Sequence, residues 1–295
     1  MNSTVKGYLA GVISAITFGL NPFFGIQLYA ENVGPIAVLF YRFLFATVLL
    51  GIYMLCTGKK FTFDWKLWLH VAVGGILLAL TCLAWFCSFK IMDSGIGATI
   101  MFVYPVMVAA IMIAGFKEKI TANTVAAIVC ALLGVAVLCR PGAGATVNAL
   151  GIIYVILSAL FYAIYIVILK VTRLKEVPPE TLTFYTMGGG ALVFLIVLLC
   201  GGTFQMLPSF KALGNALGLA FFPSLLSFLL VAVAIKHIGA TKAAVLGALE
   251  PVTAVVVGVC FFSEKLTLAL IAGIILILSS VVIIIKGGRG GEVEN

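Results

Sequence analysis

The side chain in this sequence best placed to do chemistry is Glu250, an acid deep inside an apolar run, in the triplet Leu249-Glu250-Pro251. A carboxylate at membrane depth costs several kcal/mol unless it is neutral, paired or facing water. An acid that takes up and releases a proton in different conformations is what coupling to a proton gradient needs, so Glu250 is a candidate proton carrier and a candidate partner for a substrate amine. The competing reading is a neutral, hydrogen-bonded acid that stabilises the Pro251 kink. Arg42 is the basic residue inside an apolar run, about seven positions from its start, or ~10 Å along a helix. Two roles are open to it: snorkelling to the outer interface as a structural arginine, or acting as a charge partner for Glu250 or for a substrate carboxylate.

Uncharged groups complete the candidate binding set: Asn21, Trp85, Tyr104, Tyr165 and Ser227. Asn21 is the most telling, because an amide inside an apolar run needs partners. Tyr104 stands immediately before a proline, as Glu250 does. Pro22, Pro105, Pro223 and Pro251 also fall inside apolar runs. Each lacks an N–H and frees a carbonyl, which is tolerated at membrane depth only where it is buried in protein or faces water. They are expected to bend helices around a cavity. Serine and threonine as helix glue, and tryptophan and tyrosine as interface anchors, are the structural alternatives for the uncharged set.

The elements that must position these groups follow from composition. The chain of 295 residues is 63% hydrophobic and 9% charged, with a mean hydropathy of +1.27, which no water-exposed surface accommodates. A membrane span takes about 20 predominantly apolar residues. Ten stretches qualify: 7–28, 35–57, 67–89, 94–116, 121–139, 149–169, 181–200, 213–235, 240–262 and 267–285. The expectation is an all-α membrane protein of ten transmembrane helices, with short loops and no inserted soluble domain. The first stretch is longer than a signal-peptide core of about 7 to 15 residues, so it is expected to be retained.

The net charge of +8 comes from basic residues spread singly along the chain, without the clustered basic face that nucleic acid needs. With the N-terminus in the cytoplasm, 13 Lys and Arg residues lie on that side and four outside, so both termini are expected to be cytoplasmic. The seven cysteines form no CxxC pair and sit in or beside apolar runs, which marks them as small buried hydrophobes. No metal site, Walker loop, dinucleotide fingerprint or nucleophile elbow is present, and no cofactor is expected.

The chain also matches itself. Shifted by 144 residues, Gly7, Ser14, Ala15, Pro35, Phe40 and Tyr41 fall on Gly151, Ser158, Ala159, Pro179, Phe184 and Tyr185. Shifted by 146, Lys90 and Pro105 fall on Lys236 and Pro251, and the stretch 116–121 falls on 262–267. The expected units are 1–140 and 141–295, each of five spans. Five is odd, so the second half would enter the membrane from the opposite side, and inverted repeats point to alternating access around a midplane site. By the same register Tyr104 is the counterpart of Glu250, and Thr186 that of Arg42.

The five-plus-five layout, the Phe-x-Glu-Lys-x-Thr junctions at 116–121 and 262–267, and the Leu249-Glu250-Pro251 turn are similar to the drug/metabolite transporter superfamily, in particular its EamA family. The resemblance covers nearly the whole chain. It implies a carrier with a central cavity bounded by spans one, three, four, six, eight and nine, and a small metabolite as substrate, with amino acids and their relatives foremost. Proton-coupled export from the cytoplasmic membrane of a prokaryote is the expected activity. Few basic residues inside the spans speak against phosphorylated substrates. A nucleoside carrier and a lipid-modifying enzyme are the alternatives; the enzyme would need convergent acids or histidines, which the sequence does not show. Partners are then the solute, protons and membrane lipids, with the oligomeric state open.

Overall fold

The computed structural model describes residues 3–61, 64–88, 90–92, 97, 100–118, 120–138, 148–200, 204–261 and 268–290. The junction 262–267, the start of the fourth expected span and the boundary at 140–141 lie outside the described residues.

Every long element among the described residues is helical, as expected where backbone N–H and C=O groups find no water and must pair within their own segment. In chain order the helices are α1 (Ser3–Phe18), α2 (Asn21–Ala30), α3 (Pro35–Cys56), α4 (Trp68–Ser88), α5 (Tyr104–Phe116), α6 (Ala122–Leu138) and α7 (Ala149–Val171). They continue as α8 (Pro179–Cys200), α9 (Phe210–Ala220), α10 (Ser227–Ile238), α11 (Ala240–Leu246), α12 (Leu249–Phe261) and α13 (Leu268–Gly290). Among the described residues six stretches are long and apolar enough to cross a bilayer: Ser3–Ala30, Pro35–Cys56, Trp65–Ser88, Ala149–Val171, Pro179–Cys200 and Phe210–Ile238. At the fourth, fifth and tenth expected spans stand the shorter apolar helices Tyr104–Phe116, Ala122–Val137 and Ile271–Lys286. The ninth is divided into α11 and α12.

Three breaks share one local cause. The first expected span stops at Gly19-Leu20, the fourth expected span turns at Phe102-Val103, and the ninth at Gly247-Ala248. After each, Pro22, Pro105 or Pro251 stands in the first turn of the new helix, where its missing N–H is not needed. Tight turn bonds carry the chain across, such as Leu20 N to Thr17 O at 3.3 Å, Val106 N to Val103 O at 3.0 Å and Gly247 N to Ala244 O at 3.1 Å. Pro223 acts differently. It sits in a π-helical segment, Phe221–Leu226, that joins α9 to α10 without a break.

The principal packing pairs are closed under exchange of the two halves. The first span's α1 packs on α10 of the eighth, and α4 of the third packs on α7 of the sixth. Likewise α4 packs on α8 as α9 does on α3, and α5 on α7 as α12 on α1. The pairs α3 with α8, α5 with α11 and α6 with α13 map onto themselves. The loops obey a cross-pairing. The chain between α1–α2 and α3 meets the segment before α9, through Gly34 N to Gln205 Oε1 at 2.6 Å and Tyr41 Oη to Gln205 O at 2.9 Å. The loop after α3 meets the α7–α8 loop instead, through Lys59 to Glu180 at 3.0 Å and Thr181 Oγ1 to Lys60 O at 2.7 Å.

Candidate functional site

The three proline-marked breaks converge on one cavity. Phe18, Gly19, Asn21 and Pro22 come from the first, Met101, Phe102 and Tyr104 from the second, and Glu250 and Pro251 from the third; Trp85 of α4 closes a further side. Counted to its open mouth and including the solvent there, the unfilled space is about 470 Å³. The walls are mostly apolar and aromatic, so the few polar groups fix what can bind and in which orientation.

Glu250 stands in the first turn of α12 and is half-buried. Among the described residues its carboxyl makes no ion pair and no hydrogen bond, while its backbone N–H donates to Gly247 O at 2.9 Å. Tyr104 and Tyr162 lie within its electrostatic reach. Asn21 is 2% exposed; its Nδ2 donates to Phe18 O at 2.9 Å, and Oδ1 is a buried acceptor without a partner among the described residues. The Tyr104 hydroxyl donates to Ala244 O at 3.1 Å, a carbonyl on the last turns before the ninth-span break. It fits only because residue 247 has no side chain: a Cβ there would stand 1.7 Å from the Tyr104 oxygen. Gly19 serves the same purpose across the cavity, since a Cβ would meet the Glu250 carbonyl at 2.5 Å and Thr253 Cβ at 2.6 Å. The two glycines let the three breaks approach closely enough to share one space.

A layer of rings closes one side of the cavity. Phe18 stacks on Tyr162 at 6.3 Å and meets Phe228 edge-on at 5.8 Å, while Tyr162 packs on Tyr104 at 5.0 Å and on Tyr165 at 6.3 Å. Nearby, Ser14 Oγ donates to Ser227 O at 2.8 Å and Ser227 Oγ donates back to Ser14 O at 3.0 Å, tying α1 to α10.

Of the residues singled out in the sequence, Asn21, Pro22, Trp85, Tyr104, Glu250 and Pro251 meet at the cavity. Tyr165 does not: it is 1% exposed, behind Tyr162. Ser227 also stands off the cavity, because its hydroxyl is used on α1. Pro105 is buried in α5 beside Tyr104, and Pro223 shapes the π segment; neither lines the space. Arg42 is corrected most. It does not reach an interface, being 1% exposed. Its Nε donates to Ser224 Oγ at 2.6 Å and its Nη2 to Pro223 O at 3.2 Å, so it holds the π segment of the neighbouring helix. Nor does it pair with Glu250. Sequence reasoning left out Gly19, Met101 and Phe102; each sits within four residues before a Pro22 or Pro105 break, which was the available signal.

The EamA-like transporter family profile matches residues 5–140 and again 149–286. An Archaeoglobus fulgidus protein named an uncharacterized transporter is 29% identical over 94% of this chain and 95% of its own. A second transporter so named from the same organism is 26% identical over 92% of this chain and 96% of its own. A solved crystal structure with 17% sequence identity superposes over 99% of both chains with a TM-score of 0.80, which is a likeness of fold.

Proposed function

The chain belongs to the EamA-like transporter family, and from that premise we propose that it is a proton-coupled secondary carrier for a small amphipathic metabolite, an amino acid or a relative of one. The observation that carries the reading is the half-buried Glu250 carboxyl, unpaired among the described residues, on a cavity where three interrupted helices meet. Half-helix ends around a central space are how carriers place polar backbone at membrane depth.

The proposed units are 1–140 and 141–295, with inverted topology. The loop cross-pairing supports the inversion. Loops one and two lie at opposite ends of α3, whose 22 residues span roughly 33 Å. The sixth-to-seventh connection meets loop two and the seventh-to-eighth connection meets loop one, so equivalent loops of the halves lie at opposite ends. The distribution of basic residues then puts both termini in the cytoplasm, and the archaeal relatives agree with the cytoplasmic membrane of a prokaryote. In this orientation Tyr165 and Phe228 lie toward the cytoplasm from Asn21, Trp85 and Phe102, so the ring layer closes the inner side and the cavity faces outward. Protonated from outside, Glu250 loses its charge; the neutral cavity can close on that side while the ring layer opens. Release of the proton inward and exit of the solute outward complete an exchange.

Counterflow in proteoliposomes tests this. Vesicles preloaded with unlabelled amino acids should take up the labelled counterpart in a saturable, trans-stimulated way. Glu250→Gln should abolish accumulation driven by a proton gradient. Accumulation unchanged in that variant would retire the coupling role.

A further inference from the structure

Arg42 is a buried cation that no acidic side chain among the described residues neutralises. The ion pairs among the described residues are Lys59 with Glu180 and Arg173 with Asp64 and Glu176, all at the loops. Two bonds, to Ser224 Oγ and Pro223 O, use Nε and Nη2, and Nη1 has no acceptor among the described residues. Around the guanidinium stand four rings, Phe86 at 5.7 Å from Cζ and Phe18, Phe43 and Phe228 at 6.0 Å, with the Cys82 thiol also within electrostatic reach. Ring faces stabilise a cation in part, yet a clamp for a helix bulge needs hydrogen-bond donors and no net charge. A glutamine or asparagine would serve without burying an ion, which is expensive when unpaired.

One of these rings is shared with the cavity. Phe18 lines the site and faces Arg42 at the same time. It is the last residue of α1, at the break before Gly19, and is only part-buried, so its side chain can move without unwinding a helix. Displacing it would join the cavity to a guanidinium with a free donor pair.

We propose that Arg42 receives a carboxylate of the transported solute, with the Phe18 ring as the door between cavity and guanidinium. The opened site then has acceptors in Glu250 and in Asn21 Oδ1, which has no partner among the described residues, a cation in Arg42 behind Phe18, and apolar walls at Trp85 and Phe102. A zwitterion with an apolar side chain fits that set: ammonium to Glu250, carboxylate to Arg42. The solute brings the counter-ion that the fold omits, and a planar carboxylate suits the guanidinium fork. This deepens the carrier reading and rests on it.

The test compares L-phenylalanine with L-phenylalaninamide, which keeps the ammonium and the ring but has no carboxylate. Binding is measured on the full purified chain by calorimetry, and counterflow is measured in parallel. The wild type should bind phenylalanine at least tenfold tighter than the amide. Arg42→Gln should bring that ratio close to one, and Arg42→Lys should restore part of it. Phe18→Ala, which removes the door, should tighten phenylalanine severalfold and leave the amide unchanged; it decides the matter if Arg42→Gln does not fold. A ratio that stays the same in folded Arg42→Gln, an unchanged ratio in Phe18→Ala, or no phenylalanine binding by either the wild type or Phe18→Ala overturns the proposal. Counterflow separates the two readings. Arg42-dependent binding without counterflow sinks the carrier and keeps the site, whereas counterflow that is indifferent to Arg42 sinks the site and keeps the carrier.

Discussion

At the scale of single residues, the site is made of groups whose usual partners are missing or supplied by a helix break. Tyr104 and Gly247 show how narrow the fit is. The tyrosine hydroxyl donates to Ala244 O in a space that a methyl group at 247 would occupy. Tyr104→Phe removes one buried hydrogen bond and should cost about 1 kcal/mol. Gly247→Ala should cost more, about 1 to 3 kcal/mol, because the ring is 2% exposed and packed on Tyr162 and cannot swing clear. Thermal unfolding of the purified protein checks both. If Gly247→Ala proves no more costly than Tyr104→Phe, the hydroxyl can find another seat and the contact does not fix the break. Asn21 should behave in the opposite way. Its Oδ1 is buried without a partner among the described residues, so Asn21→Leu should leave stability within about 1 kcal/mol while transport falls, since the lost Nδ2 bond is offset by removing an orphan acceptor.

At the scale of elements, what could be read beforehand is what proline decides locally. Pro22, Pro105 and Pro251 mark breaks because a ring without an N–H suits only the first turn of a new helix, and those breaks bring Asn21, Tyr104 and Glu250 together. What could not be read depends on a neighbour. Position along the second span gave Arg42 a distance to the interface but not the face it occupies, and that face meets α9–α10. The π segment is invisible in Phe-Phe-Pro-Ser-Leu-Leu, since Arg42 and the Ser224 hydroxyl together supply the bonds that such a wide turn loses. Spacing placed Tyr165 and Ser227 on inward faces without saying that Tyr162 and Ser14 would cover them. The two halves also differ here. The third span, counterpart of the eighth, is a continuous helix, Trp68–Ser88, and Thr186 stands where Arg42 would be repeated. The arginine of the first half and the bulge of the second therefore meet at one of two symmetry-related contacts, α3 on α9–α10, and the other, α8 on α4, has neither. Ser224→Ala should cost about 1.5 to 3 kcal/mol, the range for a hydrogen bond to a charged group. Destabilisation below about 0.5 kcal/mol in chemical unfolding would show that Pro223 O alone suffices to hold the guanidinium.

At the scale of the molecule, the claim with the widest consequence is the inversion, because exchange of conformations between equivalent halves needs them to face opposite ways. It rests on which loops touch. Lys66 and Lys175 flank the loops joined by Asp64 with Arg173 at 3.8 Å and Lys59 with Glu180 at 3.0 Å, whereas Met206 lies beside Gln205 in the opposite cluster. Single cysteines at Lys66, Lys175 and Met206, in a chain whose native cysteines have been replaced, can be labelled from either side with a membrane-impermeant maleimide. Lys66→Cys and Lys175→Cys should react only from the cytoplasmic side and Met206→Cys only from outside. Two arguments are separated by the pattern. Labelling of Lys66→Cys and Lys175→Cys from opposite sides would break the inversion and with it the alternating-access mechanism. Labelling of both from outside, with Met206→Cys inside, would keep the inversion and reverse the orientation inferred from basic residues, so the ring layer of Phe18, Tyr162 and Phe228 would then close the cavity toward the outside.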